Sequence, residues 1–368
     1  MKIYVIYGGE NAEHEVSVKS AFSILKHIYY DYHTIIPIYI TREGEWYKGS
    51  EVKNKETIST EDQLSDLNEK ELFSFDELNE EECLAFPILH GPNGEDGTIQ
   101  GLFEALHIPY VGSGVLAGAV GMDKLISKGV FKEAGLSVLP YKEIKLREWK
   151  VDKQNVCSNI ESYIGYPMYV KPANQGSSIG ITRVLDEEEL TKAIELAFNY
   201  DYRIIVEKEL PVREIEVAIL GNEDVHTSLP GEVAKDEQFY AYEDKYFNQE
   251  SVVKIPAEIS DELTKKIRKM AAVAFEAING SGVARVDFFL TNEEDIYINE
   301  VNTFPGFTTD SMYPKIWTKT GIPFDDLIEE VIQLGMRRYK DKHKISKEIT
   351  TGNKNREMEN TDAELDNE

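Results

Sequence analysis

The sequence predicts an α/β chain built as two or three domains, and three observations predict it. It opens with an apolar strand pattern that passes through two glycines into an amphipathic helix. Strand-like and helix-like segments then follow one another, ending in an amphipathic helix, a β-hairpin and a further helix. The chain's 368 residues also exceed what one hydrophobic core serves, because cores stop growing at roughly 250–300 residues.

Composition narrows the class. Hydrophobic residues make up 41% of the chain, which fits a folded protein, and the formal net charge is −27. A polyanion of this kind disfavours nucleic acid or an anionic membrane as a partner. No apolar run is long enough to span a bilayer. The start, MKIYVIYGG, is too short for a signal peptide and reads as a first strand. Cys83 and Cys157 are too few for a disulfide framework and point to a reducing cytoplasm. Acidic residues crowd residues 51–82 and the C-terminal tail, a density that ordinarily marks a solvated face.

Residues 2–7 form the first strand, and Gly8-Gly9 turn it into a segment beginning near Ala12. Val18, Ala21, Phe22 and Leu25 recur there at helical spacing. A strand–glycine–helix opening is typical of a doubly wound unit, which binds ligands at the carboxyl ends of its strands. Glu13, His14 and Glu15 sit at the helix entrance. Acidic residues in a first turn can serve only the helix dipole, so Glu15 stays open between that role and a binding one. Val18 occupies the place where a zinc H-E-x-x-H motif needs its second histidine.

A second strand at 34–40 precedes the acidic insertion at 49–82, and 84–89 is a buried strand. That strand ends in His90 and a loop with Gly91, Gly94 and Gly97, which permit close backbone approach. Asp96 or Thr98 can cap the helix TIQGLFEAL. His90, at a strand's carboxyl end, is read as functional. GSGVLA at 112–117 matches a dinucleotide fingerprint, but the acidic residue expected on the next strand is missing. The glycines are therefore read as tight helix packing. Met122-Asp123-Lys124 opens a new helix and a second domain.

In that domain a strand ends in Lys171, followed by the loop PANQGSSIG. Such loops present backbone N–H groups and hydroxyls to phosphate, with lysine as counter-charge, although no Walker sequence occurs. Another strand at 203–207 leads into Glu207-Lys208-Glu209-Leu210, with Glu214 beyond, a connection able to hold a purine edge and ribose hydroxyls. Residues 234–251 form a long polar segment with Tyr240, Tyr242, Lys245 and Tyr246, read as a lid that closes on ligand. An amphipathic helix at 260–279 has Ser260 at its cap and Gly280 past its end. After the hairpin comes a helix at 324–339, and the chain beyond 344 reads as a disordered acidic tail.

The hairpin carries the most chemistry. Residues 283–291 and 296–302 are rich in β-branched and aromatic residues around a polar turn at 292–295. Symmetric closure on Glu293-Glu294 sets Asp287 opposite Glu300 and Arg285 opposite Asn302, all on one face. Facing like charges are destabilising, so the two carboxylates call for a cation between them. Two carboxylates and an amide are hard oxygen ligands that suit Mg²⁺, which completes its shell with water and substrate phosphate. Beyond lies Pro305-Gly306, where a backbone N–H can approach a ligand closely.

With these stretches in hand the chain resembles the D-alanine–D-alanine ligases of the ATP-grasp superfamily over about residues 1–345. The resemblance rests on EHEVS at 13–17, HGPNGEDG at 90–97, MDK at 122–124, VKPANQGSSIG at 170–180, YEDKY at 242–246, and RVDFF with NEVNTFPGFT around the hairpin. It implies an ATP-grasp fold of three α/β domains at 1–121, 122–212 and 213–345, with the tail at 346–368 and ATP between the central and C-terminal domains. It also implies a homodimer whose substrates are ATP and D-alanine, making a peptidoglycan precursor. Carried over position by position, Lys124, Lys171, Glu207, Lys208, Glu214 and Lys245 would hold ATP. Glu207 would meet adenine, Glu214 ribose, and the lysines phosphate. Asp287, Glu300 and Asn302 would hold two Mg²⁺ ions, with Mn²⁺ able to substitute. Glu15 would receive the first substrate's ammonium, in a group with Ser177 and Tyr246 supported by His90. Arg285 and the Gly306 N–H would stabilise the oxyanion, and Ser311 would bind the second substrate's carboxylate.

The alternatives are a ligase taking D-serine or D-lactate second, and a non-catalytic ATP-binding regulator on the same fold. Tyr246 speaks against lactate, and the presence of Arg285 and Glu15 speaks against the regulator. Ala241 stands where the resembled lids commonly carry Asp, which touches lid hinging rather than chemistry.

Overall fold

The computed structural model describes residues 1–68, 70–78, 82–234 and 252–344. Lys245 and Tyr246, the lid beyond Ala234 and the acidic tail lie outside the described residues. Three sheets organise the rest, each drawn from one continuous stretch.

The first holds β1 (Lys2–Gly8), β2 (Thr34–Ile40), β3 (Trp46–Lys48), β4 (Glu71–Leu72) and β5 (Cys83–Ile88), in the order β4-β3-β2-β1-β5. β1 lies parallel to both β2 and β5, the pattern a doubly wound opening demands, and α1 (His14–His27) makes the first crossover. Their near-continuous Ile, Val and Tyr content is what a strand buried on both faces requires. The acidic insertion is anchored rather than wholly solvated: the short helix α2 (Asp62–Ser65) buries Leu64, whose carbonyl accepts from the buried Tyr7 hydroxyl at 2.9 Å.

Helices α3 (Thr98–Ala105), α4 (Val115–Met122) and α5 (Lys124–Glu133) lead to the second sheet. In α4 a Cβ on Gly118 would lie 2.8 Å from the Glu95 carbonyl oxygen and 2.9 Å from the Gly97 nitrogen, so this glycine, just past the 112–117 run, lets the helix pack closely on the loop before α3. The second sheet is antiparallel, with β6 (Tyr141–Lys145), β7 (Met168–Pro172), β8 (Thr182–Val184) and β9 (Arg203–Lys208) in the order β6-β9-β7-β8. Helices α6 (Leu146–Val151), α7 (Lys153–Tyr163) and α8 (Glu187–Ala197) belong to the same stretch, and Trp149, Ile160 and Ile194 fill its core.

The third sheet is also antiparallel: β10 (Val212–Gly221), β11 (His226–Thr227), β12 (Gly231–Ala234), β13 (Val252–Lys254), β14 (Gly282–Thr291) and β15 (Ile296–Asn302). Its spine runs β13-β12-β10-β14-β15. Helix α9 (Asp261–Ala277) packs Ile267, Ala271 and Phe275 into its core, with Ser260 Oγ accepting from Leu263 N at 3.2 Å as N-cap.

Helices α10 (Met312–Thr320) and α11 (Phe324–Lys344) return to the first sheet, where Leu327, Ile328 and Val331 share one apolar cluster with Ile3, Val5 and Phe86. α11 runs past its predicted end at 339 because contacts outside its own sequence hold it. Arg338 lies 3.9 Å over the Tyr110 ring, Tyr339 donates to the His107 carbonyl at 2.8 Å, and Lys342 pairs with Glu104. Cys83 and Cys157 are buried thiols, each outside any disulfide. Among the described residues no helix is long and apolar enough to cross a membrane.

Candidate active site

The ends of the three sheets surround a cleft of about 1330 Å³ whose lining includes Glu13, Lys171, Ser177, Glu214, Arg285 and Glu300. Its cationic end is built by α5 and the second sheet. Asp123 caps α5, accepting from Leu125 N and Ile126 N at 3.0 Å, and so places Lys124 and Lys128 one helical turn apart on one face. Lys124 Nζ donates to the Gln175 carbonyl at 2.7 Å and stands 3.5 Å from Glu300. Beneath it Glu207 is buried between two lysines, with Lys128 Nζ at 2.7 Å and Lys171 Nζ at 2.6 Å. Burial favours the neutral acid, but the two ammonium groups outweigh it and hold the Glu207 carboxyl at about 2. Burial pulls Lys171 downward, yet Glu207, Glu300 and Glu214 raise it overall, whereas burial prevails at Lys128 and lowers it. Lys208, also lining the cleft, donates to the carbonyls of Gly165 and Tyr166 at 3.1 and 3.0 Å.

The hairpin forms the opposite wall. Arg285 pairs with Asn302 and Asp287 with Glu300. The route to that register differs from symmetric closure. Nearer the turn Phe288 faces Ile298, so Asn299 is an extra residue in β15, and the bulge restores the Asp287–Glu300 pairing. The Asn299 carbonyl accepts from Lys128 Nζ at 3.2 Å, tying the bulge to the lysine cluster. Arg285 binds Asp287 through two bonds of 2.7 Å, and Asn302 Nδ2 donates to Asp287 at 3.1 Å. On the neighbouring strand Glu216 faces Asp287 and lies 2.9 Å from Arg285 Nε. Carboxylate and amide oxygens converging from adjacent strands make a donor set that fits a hard divalent cation.

The third wall corrects one sequence assignment. Glu15 is not in the cleft lining; its side chain is 54% exposed and pairs with Arg42 at 2.6 Å. Glu13, two residues earlier, is the acidic group at the site, 4% exposed and accepting a hydrogen bond from Ser177. Residues two apart at a helix entrance face different sides, so only one of the pair can look into the cleft. His14 fixes which, by its contacts with the Gly9 carbonyl at 2.7 Å and the Tyr39 hydroxyl at 3.1 Å. Glycine makes room: a Cβ on Gly91 would fall 2.0 Å from Glu13 Oε2, and one on Gly176 2.9 Å from it. Ser177 and Ser178 adopt left-handed φ of 48° and 62° in the loop that meets Glu13.

His90 is buried, within 3.1 Å of Ser20 Oγ and 3.3 Å of the Phe304 carbonyl. Burial works against its charge, but Glu95, Glu13 and that carbonyl raise its pKa overall. Gly306 and Ser311 lie together, since a Cβ on Gly306 would be 2.9 Å from Ser311 Oγ, and Ser311 Oγ is 2.8 Å from Thr308 Oγ1. Of the predicted residues, Lys124, Lys171, Ser177, Glu207, Lys208, Glu214, Arg285, Asp287, Glu300, Asn302, His90, Gly306 and Ser311 all line this one cleft. Glu13, Lys128 and Glu216 were missed. Lys128 stands four residues after Lys124, and Glu216 two after Glu214, so the helical and strand periods carried a signal for both.

A small-and-polar loop with buried lysines, facing an antiparallel sheet that presents carboxylates, defines an ATP-grasp ligase. Comparison with known proteins is narrower still. The family model described as D-ala D-ala ligase N-terminus matches residues 2–113, and that described as D-ala D-ala ligase C-terminus matches residues 130–333. The D-alanine–D-alanine ligase of Enterococcus hirae is 48% identical over 348 residues, covering 92% of this chain and 97% of the relative. That of Enterococcus faecalis is 46% identical, covering 92% and 100%. Among solved structures, the D-alanine–D-alanine ligase from Coxiella burnetii superposes with a TM-score of 0.82 at 32% identity, covering 94% of this chain and 96% of the other. The VanG D-Ala:D-Ser ligase from Enterococcus faecalis gives 0.78 at 34%, covering 91% and 99%. The chain belongs to the D-alanine–D-alanine ligase family.

Proposed function

We propose that the protein joins two D-alanines into D-alanyl-D-alanine at the expense of ATP, working as a homodimer in the cytoplasm and supplying peptidoglycan synthesis. The observation that carries this reading is one cleft lined by a buried carboxylate at Glu13, buried lysines, and a hairpin bearing arginine beside two facing carboxylates. The relatives at 46–48% identity are D-alanine–D-alanine ligases, which supports D-alanine rather than D-serine as the second substrate.

Glu13, rather than Glu15, receives the ammonium of the first D-alanine, with Ser177 and Tyr246 completing its hydrogen bonds and His90 supporting them from behind. Lys124, Lys171 and Lys245 hold the phosphates. Glu207 keeps free lone pairs for adenine despite its two lysines, Lys208 lies at the purine edge, and Glu214 takes the ribose hydroxyls. Asp287, Glu300 and Asn302 would hold the two Mg²⁺ ions, whose chemistry there would be to offset the negative charge of the phosphates so that a carboxylate can approach.

The first substrate's carboxylate oxygen attacks the γ-phosphorus, the bond to ADP breaks, and an acyl phosphate forms. The lid keeps water from it. The second D-alanine, its carboxylate held at Ser311, attacks the acyl carbon as the free amine. Charge gathers on the carbonyl oxygen, which meets Arg285 and the Gly306 N–H, and a donor placed there contributes about 3 kcal/mol. The carbon–oxygen bond to phosphate then breaks, the surplus proton of the amine passes to the departing phosphate, and dipeptide and phosphate are left.

Phosphate release from ATP and Mg²⁺ should require D-alanine and ignore L-alanine; release that is indifferent to either would falsify the reading. Competition among D-alanine, D-serine and D-lactate, with products identified by mass, decides the second substrate, and sedimentation decides the dimer.

A further inference from the structure

We propose that Glu216 is a positioning residue: it keeps hold of Arg285 when metal takes Asp287, and so leaves the guanidinium aimed at the reacting carbonyl. The inference rests on the ligase reading above. In the register of β10, β14 and β15, Glu216 faces Asp287, and Asp287 faces Glu300, so three carboxylates stand in a row across adjacent strands. Like charges in such a row repel, and each needs a cation. Lys124 stands 3.5 Å from Glu300 at one end. Arg285 serves the other two: its Nε is 2.7 Å from Asp287 Oδ1 and 2.9 Å from Glu216 Oε2, and its Nη2 is 2.7 Å from Asp287 Oδ2.

The side chains of Glu216, Arg285 and Asp287 are 11, 15 and 13% exposed. A guanidinium so far from water is costly to leave without a counter-charge. If Asp287 were its sole partner, metal and arginine would compete for the same two oxygens. With Glu216 at Nε, Asp287 can turn to metal while Arg285 keeps an anion and a fixed direction. Glu216 is poorly placed as a ligand itself. It stands two strand spacings from Glu300, roughly 9–10 Å between backbones.

The test measures Mn²⁺ binding by electron paramagnetic resonance with β,γ-imido-ATP present, beside steady-state kinetics. Glu216→Gln should raise the Mn²⁺ dissociation constant on the order of 2- to 150-fold, the range of coupling between contacting groups. It should also lower kcat, with KM for D-alanine little changed. In an Arg285→Met background the same exchange should leave Mn²⁺ affinity unaltered, because no arginine remains to compete. Arg285→Gln serves as the background if the methionine variant does not fold. An equal loss of Mn²⁺ affinity with and without Arg285 would make Glu216 a metal ligand or a bare field, and an unchanged dissociation constant in Glu216→Gln would leave it no role; either overturns the inference. Failure of the wild type to bind Mn²⁺ with nucleotide would instead defeat the ligase reading.

Discussion

Exchanging Glu13 for glutamine, beside the same exchange at Glu15, decides which carboxylate meets the substrate. Glu13 is 4% exposed and bonded by Ser177, so an ammonium placed there would be paired with little water to screen it. Glutamine keeps the volume and one acceptor oxygen, removes the charge, and puts an NH₂ donor where the second oxygen stood. A hydrogen bond to a charged group contributes about 1.5–3 kcal/mol, so kcat/KM for D-alanine should fall roughly 10- to 150-fold. Glu15 pairs with Arg42 in solvent, with both side chains more than half exposed. Such pairs are worth about 0–1 kcal/mol to stability, and neither partner is among the described residues that line the cleft, so Glu15→Gln should leave kcat/KM within about two-fold. Phosphate release is followed across D-alanine at saturating ATP, then across ATP at saturating D-alanine. KM for ATP should hold in both variants. Equal losses in the two variants, or a larger one in Glu15→Gln, would refute the placement of Glu13 at the ammonium.

Three further outcomes are expected. Glu300→Gln should raise the Mg²⁺ concentration for half-maximal turnover, and a Mg²⁺ titration that superposes on wild type would remove Glu300 from the metal site. Lys128→Met takes one of two cations from the buried Glu207, and breaking a buried pair costs about 3–5 kcal/mol; the urea midpoint should drop clearly and Lys128→Arg should recover part of it. Glu207 has its carboxyl held at about 2, below the ordinary 4.5, so its pairing stabilises the fold above pH 4.5 and that contribution fades as pH falls towards 2. Urea midpoints from pH 6 downward should therefore fall more steeply in wild type than in Glu207→Gln, and parallel curves would contradict the pairing.

The elements that periodicity and turn chemistry control were legible in the sequence: the parallel opening of the first sheet, the capped helix at Asp261–Ala277, and the hairpin with its four polar residues on one face. What depends on a single residue of register was less so. The Asp287–Glu300 pairing came out as expected, but only because the bulge at Asn299 makes good a turn that closes one residue off symmetry. No local pattern announces that bulge, because its reason is distant: Lys128 bonds the Asn299 carbonyl and Ser137 accepts from Ile298 N. The same limit explains Glu13. Two glutamates flank His14, and choosing between them needs the tertiary contacts of His14 and the glycine cradle from residues 91 and 176. Lys128 hid for another reason, since a lysine in an amphipathic helix is ordinarily read as solvent-facing until its partner Glu207 is seen.

Charge accounting within the cleft ties these residues to the chemistry. The chain carries a net charge of −27, yet around the hairpin Lys124, Lys128, Lys171 and Arg285 stand among Glu207, Glu216, Asp287 and Glu300, sign against sign. A triphosphate entering alone would upset that balance, because its charge would face the carboxylates of the hairpin without compensation. Entering with two divalent ions, as the proposed function has it, the triphosphate would bring nearly offsetting charge, and the hairpin carboxylates would act as ligands rather than as repulsion. Glu13 stands outside this matched set, at the far wall beside Ser177 and Gly91. A buried carboxylate at the wall that carries Ser177 suits a ligand that brings its own cation, which an amino acid does through its ammonium group. The loss of Glu13 should therefore be felt in the amino-acid terms of the kinetics, and the loss of Glu300 in the metal terms.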